Sequence, residues 1–428
     1  MKKVKYPTIE ESIKVLERPS IESGIINEKV LSIINEVKTF GDKALLEFAQ
    51  KFDGVSLENV SVKESEFSKG SSNIDEDLKR AIDVAYKNIY KFHNSQKIDL
   101  PKVEIDEGIT CWRKSVPIEN VGLYIPGGSS PLFSTLLMLG IPAKIANCKN
   151  ITICTPPQKN GEIADAILYV AKLLGIKNIF KVGGAQAIAA MALGTETIPK
   201  VDKIFGPGNQ WVTAAKQLVN SFGIAIDMPA GPSEVLVIAD DSANPKFVGS
   251  DLLSQAEHGP DSQAVLLSTS EEIIDSVLEE VETIKTKLSR KEIVEISLKN
   301  SAAVLVKNLD EAFEISNRYS PEHLILSIVE AEKNLDKIVN AGSVFIGNYS
   351  PESAGDYASG TNHTLPTNGF ASAYSGVSLD SFMKKITFQK LTKTGLNNIA
   401  TTVETMAEAE GLDAHKLAVT VRREFNND

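Results

Sequence analysis

With 428 residues the chain has nearly three domain-lengths at about 150 residues each, or two larger α/β domains with appendages. Hydrophobic residues at 42% and charged residues at 24% exclude a disordered chain, and a net charge of −11 makes it a poor partner for nucleic acid or an anionic membrane. Three cysteines (Cys111, Cys148 and Cys154) cannot build a disulfide framework, so a reducing, cytoplasmic setting is expected.

The basic amino terminus is not followed by an apolar core, so no secretory signal is expected there. Thr8 and Glu11 form a capping-box pattern, which predicts a short helix ending before Pro19. Residues 1–21 are therefore expected to be a helical arm. Val30, Ile33, Ile34, Val37 and Phe40 recur at helical spacing, and Gly41-Asp42 interrupts that helix before Leu45 and Phe48. Leu78, Ile82, Ala85, Ile89 and Phe92 draw a third stripe, with His93 at its edge as a surface or cap residue. The apolar run 136–143 is far shorter than the roughly 20 residues that cross a bilayer.

From about residue 121, β-rich apolar runs alternate with helical stretches, the signature of a parallel sheet. The runs at 151–154, 179–182, 203–205 and 224–226 carry polar, glycine-bearing loops after them. Such loops lie at the carboxyl ends of strands, where open parallel sheets bind ligands. A second α/β stretch begins near Ser233–Ala239, with Asn244-Pro245 capping its first helix. Beyond 378 the chain reads as three helices, 382–391, 396–410 and 415–425, which should dock on this chain or on a second copy. The expected fold is thus α/β, with two parallel-sheet stretches that meet near Ser233–Ala239 and helical extensions at both ends.

Four of the five histidines follow residue 255, each beside a polar or acidic group. Gln255 and His258 share one helix face before Gly259-Pro260 and suit a metal, or His258 is simply a helix-end residue bonded to backbone. In Ser320-Pro-Glu-His-Leu324, proline restricts Ser320 to extended backbone, and Glu322 and His323 open a strand. Both border a pocket and share general-base duties, or they merely start the strand. Asp356 and His363 lie in a long small-residue loop of the kind that is usually functional. Glu410 and His415 belong to the tail, where Asp413 looks like an N-cap. Together these suggest a metal-assisted site. HExxH and CxxC pairs are absent, and Gly206-Pro-Gly-Asn-Gln-Trp211 is only a partial dinucleotide fingerprint.

The strings VGLYIPGG, VGGAQAIAA, DKIFGPGN, DMPAGPSEVLVIAD, DLLSQAEHGPDSQ, SPEHL and SPESAGDYASGTNHTLPT resemble those of the histidinol dehydrogenase family, from about residue 20 to the end. The resemblance implies a four-electron oxidation of L-histidinol through the aldehyde to L-histidine with two NAD⁺. It implies one Zn²⁺ per subunit held by Gln255, His258, Asp356 and His415, and Glu322 and His323 as the acid–base pair. It also implies NAD⁺ contacts from Tyr124, Gln186 and Asn209, and substrate contacts from Ser233, His363 and Glu410 together with the zinc ligands and His323. The resemblance further implies two incomplete Rossmann-like parallel-sheet domains. Its parts would be a helical arm (1–21), a discontinuous catalytic α/β domain (22–124 plus 235–377), an NAD⁺-binding domain (125–234) and a tail (378–428). It also implies an intertwined homodimer in which the tail completes the neighbour's site. Rival expectations are a zinc hydrolase, a zinc-stabilised non-catalytic dimer, and a relative that oxidises another polar alcohol. A cysteine-based aldehyde dehydrogenase is less attractive, because lone cysteines are usually small buried hydrophobes.

Overall fold

The computed structural model describes residues 1–19, 23–127, 131–229 and 231–425. The end of the expected arm (Ser20, Ile21), Gly128 of the first Pro/Gly loop and Ala230 of the PAGPS loop lie outside them. The chain divides into two compact units. The larger comprises residues 1–96 and 118–382; the smaller comprises 97–117 and 383–428.

The strands in chain order are β1 (Lys2–Lys5), β2 (Val103–Asp106), β3 (Ile109–Pro117), β4 (Asn120–Tyr124), β5 (Asn150–Thr155), β6 (Asn178–Lys181) and β7 (Lys203–Phe205). They continue with β8 (Ala225–Ile226), β9 (Glu234–Ala239), β10 (Gln263–Ser268), β11 (Ala302–Leu305), β12 (His323–Ser327), β13 (Ser343–Ile346) and β14 (Met383–Leu391). In the larger unit, β6-β5-β4-β7-β8 form one parallel sheet and β1-β11-β10-β9-β12-β13 form another. Every residue of β9, β10, β11 and β12 is buried. Coverage on both faces is why these strands read as continuous apolar runs rather than alternating ones. The helix Phe133–Ile145 is likewise apolar on all sides and almost wholly buried. Among the described residues, no helix is long and apolar enough to cross a membrane.

Several expectations need correction. The first residues form strand β1, paired in parallel with β11, and only Ile9–Val15 is helical, capped by Thr8 and Glu11 as the sequence suggested. Residues 383–391 are a strand, not a helix: β14 pairs antiparallel with β3, and Phe388 stacks on Trp112 at 5.3 Å between ring centroids. Segment 97–117 therefore groups with the tail rather than with the parallel sheets. Strand β4, placed in the catalytic portion by the expected boundaries, is the middle strand of the five-stranded sheet. The last helix begins at Asp413 itself, with Leu412 in the cap position.

His93 is not at the surface. It is fully buried, its Nδ1–H donating to the Ile89 carbonyl at 2.9 Å and its Nε2 accepting from the Asn362 amide at 3.2 Å. The helix Ser23–Phe48 is broken at Gly41 (φ 52°), where a Cβ would run into the Glu196 carboxylate that accepts the Asp42 N–H.

Candidate active site

The connection that builds the site is short. The chain leaves the carboxyl end of β8 at Ile226 and enters the amino end of β9 at Glu234. This brings the carboxyl-end loops of the five-stranded sheet to the amino ends of the six-stranded one. A cavity of about 690 Å³ elsewhere, near Asp310 and Asn340, touches none of the expected site residues except through neighbouring Ser320. The cavity that matters chemically has a volume of about 640 Å³ and is lined on one side by Gly206–Gln210 and on the other by Ser233, His258, Glu322, His323, Asp356 and His363. The glycine loop lies beyond a strand carboxyl end, whereas the acid–base pair enters at the amino end of β12, the strand entry where the sequence placed it; β12 runs parallel beside β9 with His323 opposite Val235.

Ser320 is not extended. It caps the helix Leu309–Tyr319 in the left-handed region (φ 53°), donating its N–H to the Ser316 carbonyl at 2.8 Å, and Pro321 then redirects the chain into β12. A left-handed non-glycine residue is held only where its surroundings over-determine it, and such residues cluster at functional sites. Glu322 and His323 follow directly, both buried.

The backbone of one residue organises this pair. The Glu234 N–H donates to Glu322 Oε2 at 3.0 Å, and the Glu234 carbonyl lies 3.2 Å from His323 Nδ1. Glu322 Oε2 and Glu352 Oε1 also face Nδ1, at 3.6 and 3.8 Å. With only acceptors around it, Nδ1 carries the proton and Nε2 is left bare. His323 Nε2 has no hydrogen-bond partner, and burial pushes the imidazole down to about 3, so the ring is neutral. Burial pushes the Glu322 carboxyl well above its usual range, while the Glu234 N–H and the Ser233 hydroxyl favour its charged form.

Opposite Nε2 lies a cluster of donors. His258, Glu352 and Asp356 bring one ligand atom each to within 4.8 Å of one another. Asp356 Oδ1 is 3.8 Å from His323 Nε2. The expected small-residue loop begins as a short helix, Glu352–Tyr357, so Glu352 and Asp356 lie four residues apart on one face. Gln255, fully buried near the end of the helix Pro245–Ala256, has neither amide atom paired. Both Glu352 oxygens are unpaired as well. Burial raises Asp356 to about 7 and Glu352 well above the carboxylate range, with each other's charge adding to the effect for Glu352. An amide oxygen, an imidazole and crowded, unpaired carboxylates are a donor set that fits a divalent cation of the zinc type. Desolvation, then the Arg290 cation, keeps the His258 imidazole below its usual range and so in the ligating form.

Glu352 was missed by sequence reasoning, although the spacing Glu-x-x-x-Asp was there to be read as one helical face. His363 is held by the Asp356 carbonyl at Nδ1 (2.9 Å) and by Thr135 Oγ1 at Nε2 (3.1 Å), and burial lowers it to about 4. Asn209 lines the cavity, and its side-chain oxygen caps the helix Gln210–Asn220. Tyr124 and Gln186 are buried and do not line that cavity; Tyr124 Oη accepts the Gly184 N–H at 3.2 Å. Glu410 and His415 are exposed residues of the smaller unit. Cys148 and Cys154 are free and buried, and burial raises both thiols, Cys148 to about 12, as inert packing residues require.

An α/β protein whose cavity joins a glycine loop of one parallel sheet to a neutral histidine, a glutamate and a cation-type donor set on another has the parts of a metal-associated dehydrogenase. The sequence model of histidinol dehydrogenase matches residues 16–423, and the chain belongs to that family. It is 58% identical to the histidinol dehydrogenase of Bacteroides thetaiotaomicron over 422 residues, covering 99% of both chains. The enzyme of Vibrio parahaemolyticus is 53% identical over 97% of this chain and 96% of its own length. The crystal structure of histidinol dehydrogenase from Elizabethkingia anophelis superposes with a TM-score of 0.96 at 56% identity, covering 99% of this chain and 98% of that one.

Proposed function

We propose that this protein oxidises L-histidinol through L-histidinaldehyde to L-histidine, reducing two NAD⁺ per substrate. The observation that carries the reading is the neutral His323, its bare Nε2 facing the cavity and its Nδ1 tied to the backbone of Glu234, the residue whose N–H binds Glu322. His323 Nε2 takes the alcohol proton as hydride leaves the carbinol carbon for NAD⁺. Glu322 then takes a proton from the water that adds to the aldehyde, while the His323 imidazolium returns its proton to the carbonyl oxygen. Neutral His323 accepts a proton again as the gem-diol gives its second hydride to the second NAD⁺. Two oxidations at one buried pair keep the aldehyde from escaping.

Gln255, His258 and Asp356 of this chain, with His415, would hold one Zn²⁺, which when bound supplies a Lewis-acidic anchor for the substrate's amine and imidazole nitrogens. Ser233, His363 and Glu410 orient the substrate, and Tyr124, Gln186 and Asn209 form the NAD⁺ side. The proposed assembly is a cytoplasmic homodimer in which the tail of each subunit completes the other's site. The test is NADH formed per mole of L-histidinol, before and after chelation and zinc add-back. Two NADH, lost on chelation and restored by zinc, are expected; one NADH would remove the second oxidation, and none would remove the substrate.

A further inference from the structure

Glu234 acts on the acid–base pair through its backbone, so whatever fixes Glu234 also fixes the pair. Its buried side chain does not point to the cation-type donors. It is gripped by Arg18, whose Nε and Nη2 take the two carboxylate oxygens, the second at 2.8 Å. The same Nη2 donates to the Tyr319 carbonyl at 2.7 Å, and the guanidinium lies 3.8 Å over the Tyr319 ring. Tyr319 Oη closes the network, donating to Gln263 Oε1 at 2.7 Å, with Glu234 Oε2 at 3.2 Å. Tyr319 ends the helix that leads through left-handed Ser320 into Glu322 and His323. One cation, 216 positions from Glu234 in sequence, thus binds both segments that converge on the pair.

We propose that Arg18 is a positioning residue for the acid–base pair: by joining Glu234 to Tyr319 it holds the Glu234 backbone, whose N–H seats Glu322 and whose carbonyl keeps the His323 proton on Nδ1. The proposal rests on the reading of Glu322 and His323 as the reacting pair. A planar fork is needed, because one guanidinium makes a bidentate contact, a carbonyl contact and a ring contact at once, which an ammonium cannot.

The test is a double-variant cycle on the full-length enzyme with Arg18→Ala, Arg18→Lys and His323→Asn, reading kcat and KM for histidinol. Arg18→Ala is expected to lower kcat about 10–100-fold with KM changed less than about threefold, the signature of misplaced catalytic groups. Arg18→Lys should fall between it and the parent. In the His323→Asn background both Arg18 changes should lower kcat by a clearly smaller factor than in the parent, because part of their effect runs through that imidazole. If Arg18→Ala does not fold, the same comparison is made with Arg18→Lys. Equal losses in both backgrounds, or parental kcat in Arg18→Lys and Arg18→Ala, would overturn the proposal while leaving the pair in place. Parental activity in His323→Asn would remove the acid–base reading itself, and the proposal with it.

Discussion

An imidazole accepts a proton at Nε2 only if Nδ1 holds the other, and in His323 three oxygens around Nδ1 make that choice. Glu322 accepts from the N–H of the same residue, Glu234, but has a separate task, the water of the second oxidation. Glu322→Gln keeps the acceptor that meets the Glu234 N–H and removes only the proton-taking group. It should therefore leave alcohol oxidation within about tenfold of the parent while lowering aldehyde oxidation about 10²–10⁴-fold, the usual worth of a general base. Single-turnover assays started from histidinol and from histidinaldehyde check this; equal losses in the two would reassign the residue. At this scale the sequence was partly legible. SPEHL announced its pair, but the helix face expected to carry Gln255 and His258 is not formed, because the helix ends at Ala256 and His258 lies beyond its cap at Glu257. Glu352 and Arg18 stayed hidden for different reasons. The first sits in a stretch whose small residues read as loop, and the second meets its partners only through tertiary contacts that no local spacing encodes.

Among the elements, the loop after β7 shows how a glycine turn is made rigid. Gly206 adopts φ 129°, and a Cβ there would collide with the Tyr124 carbonyl, so no other residue fits without moving β4. Its N–H donates to Asp227 Oδ2 and its carbonyl accepts from Lys216 Nζ, both at 2.8 Å, and Lys216 and Asp227 pair with each other in the interior. Lys216→Met leaves a buried carboxylate without its cation and should cost about 3–5 kcal/mol in urea unfolding. Because the same loop leads to Asn209, the KM for NAD⁺ should rise as well; an unchanged KM would separate the clamp from nucleotide binding. A second element, the turn Ala49–Asp53, carries a half-buried Asp53 with one unpaired oxygen, and burial pushes its carboxyl from 3.8 up to about 6. The folded state thus binds this proton more tightly than the unfolded chain. The resulting stability is fully present below about pH 4 and is lost as pH rises through about 6. Asp53→Asn should stabilise the protein by about 1 kcal/mol at pH 8, after allowance for solvent screening, and by nothing at pH 4. A gain of equal size at both pH values would assign the effect to packing. The interior strands were legible because burial on both faces writes long apolar runs. β1 was not, since an edge strand of sequence Lys-Lys-Val-Lys carries the charges that guard an edge and only one apolar residue. In β14, Ile386 and Phe388 alternate with polar residues, a period-2 pattern that outweighs the helical reading once β3 is there to pair with.

The whole molecule raises a question that neither parallel sheet answers: where do Glu410 and His415 act? The smaller unit has few buried side chains of its own, and Met406, Leu417 and Val421 on its two helices are exposed, as are Leu412 and Phe425 that cap the second. Exposed apolar side chains on a tail of this length suit docking against another surface. If that surface belongs to a second copy, each site draws Gln255, His258 and Asp356 from one subunit and His415 from the other. Isologous pairing of this kind makes a prediction that a tail folding back on its own chain does not. His258→Ala and His415→Ala should each be inactive as homodimers. When the two are unfolded together and refolded as a mixture, every heterodimer contains one site bearing both lesions and one bearing neither. Random pairing should then restore about a quarter of parental activity. With the tail acting on its own chain, each site keeps one lesion and the mixture stays inactive. Measuring NADH production against the ratio of the two variants distinguishes the cases, because recovery through exchange peaks at equal amounts and vanishes at either extreme.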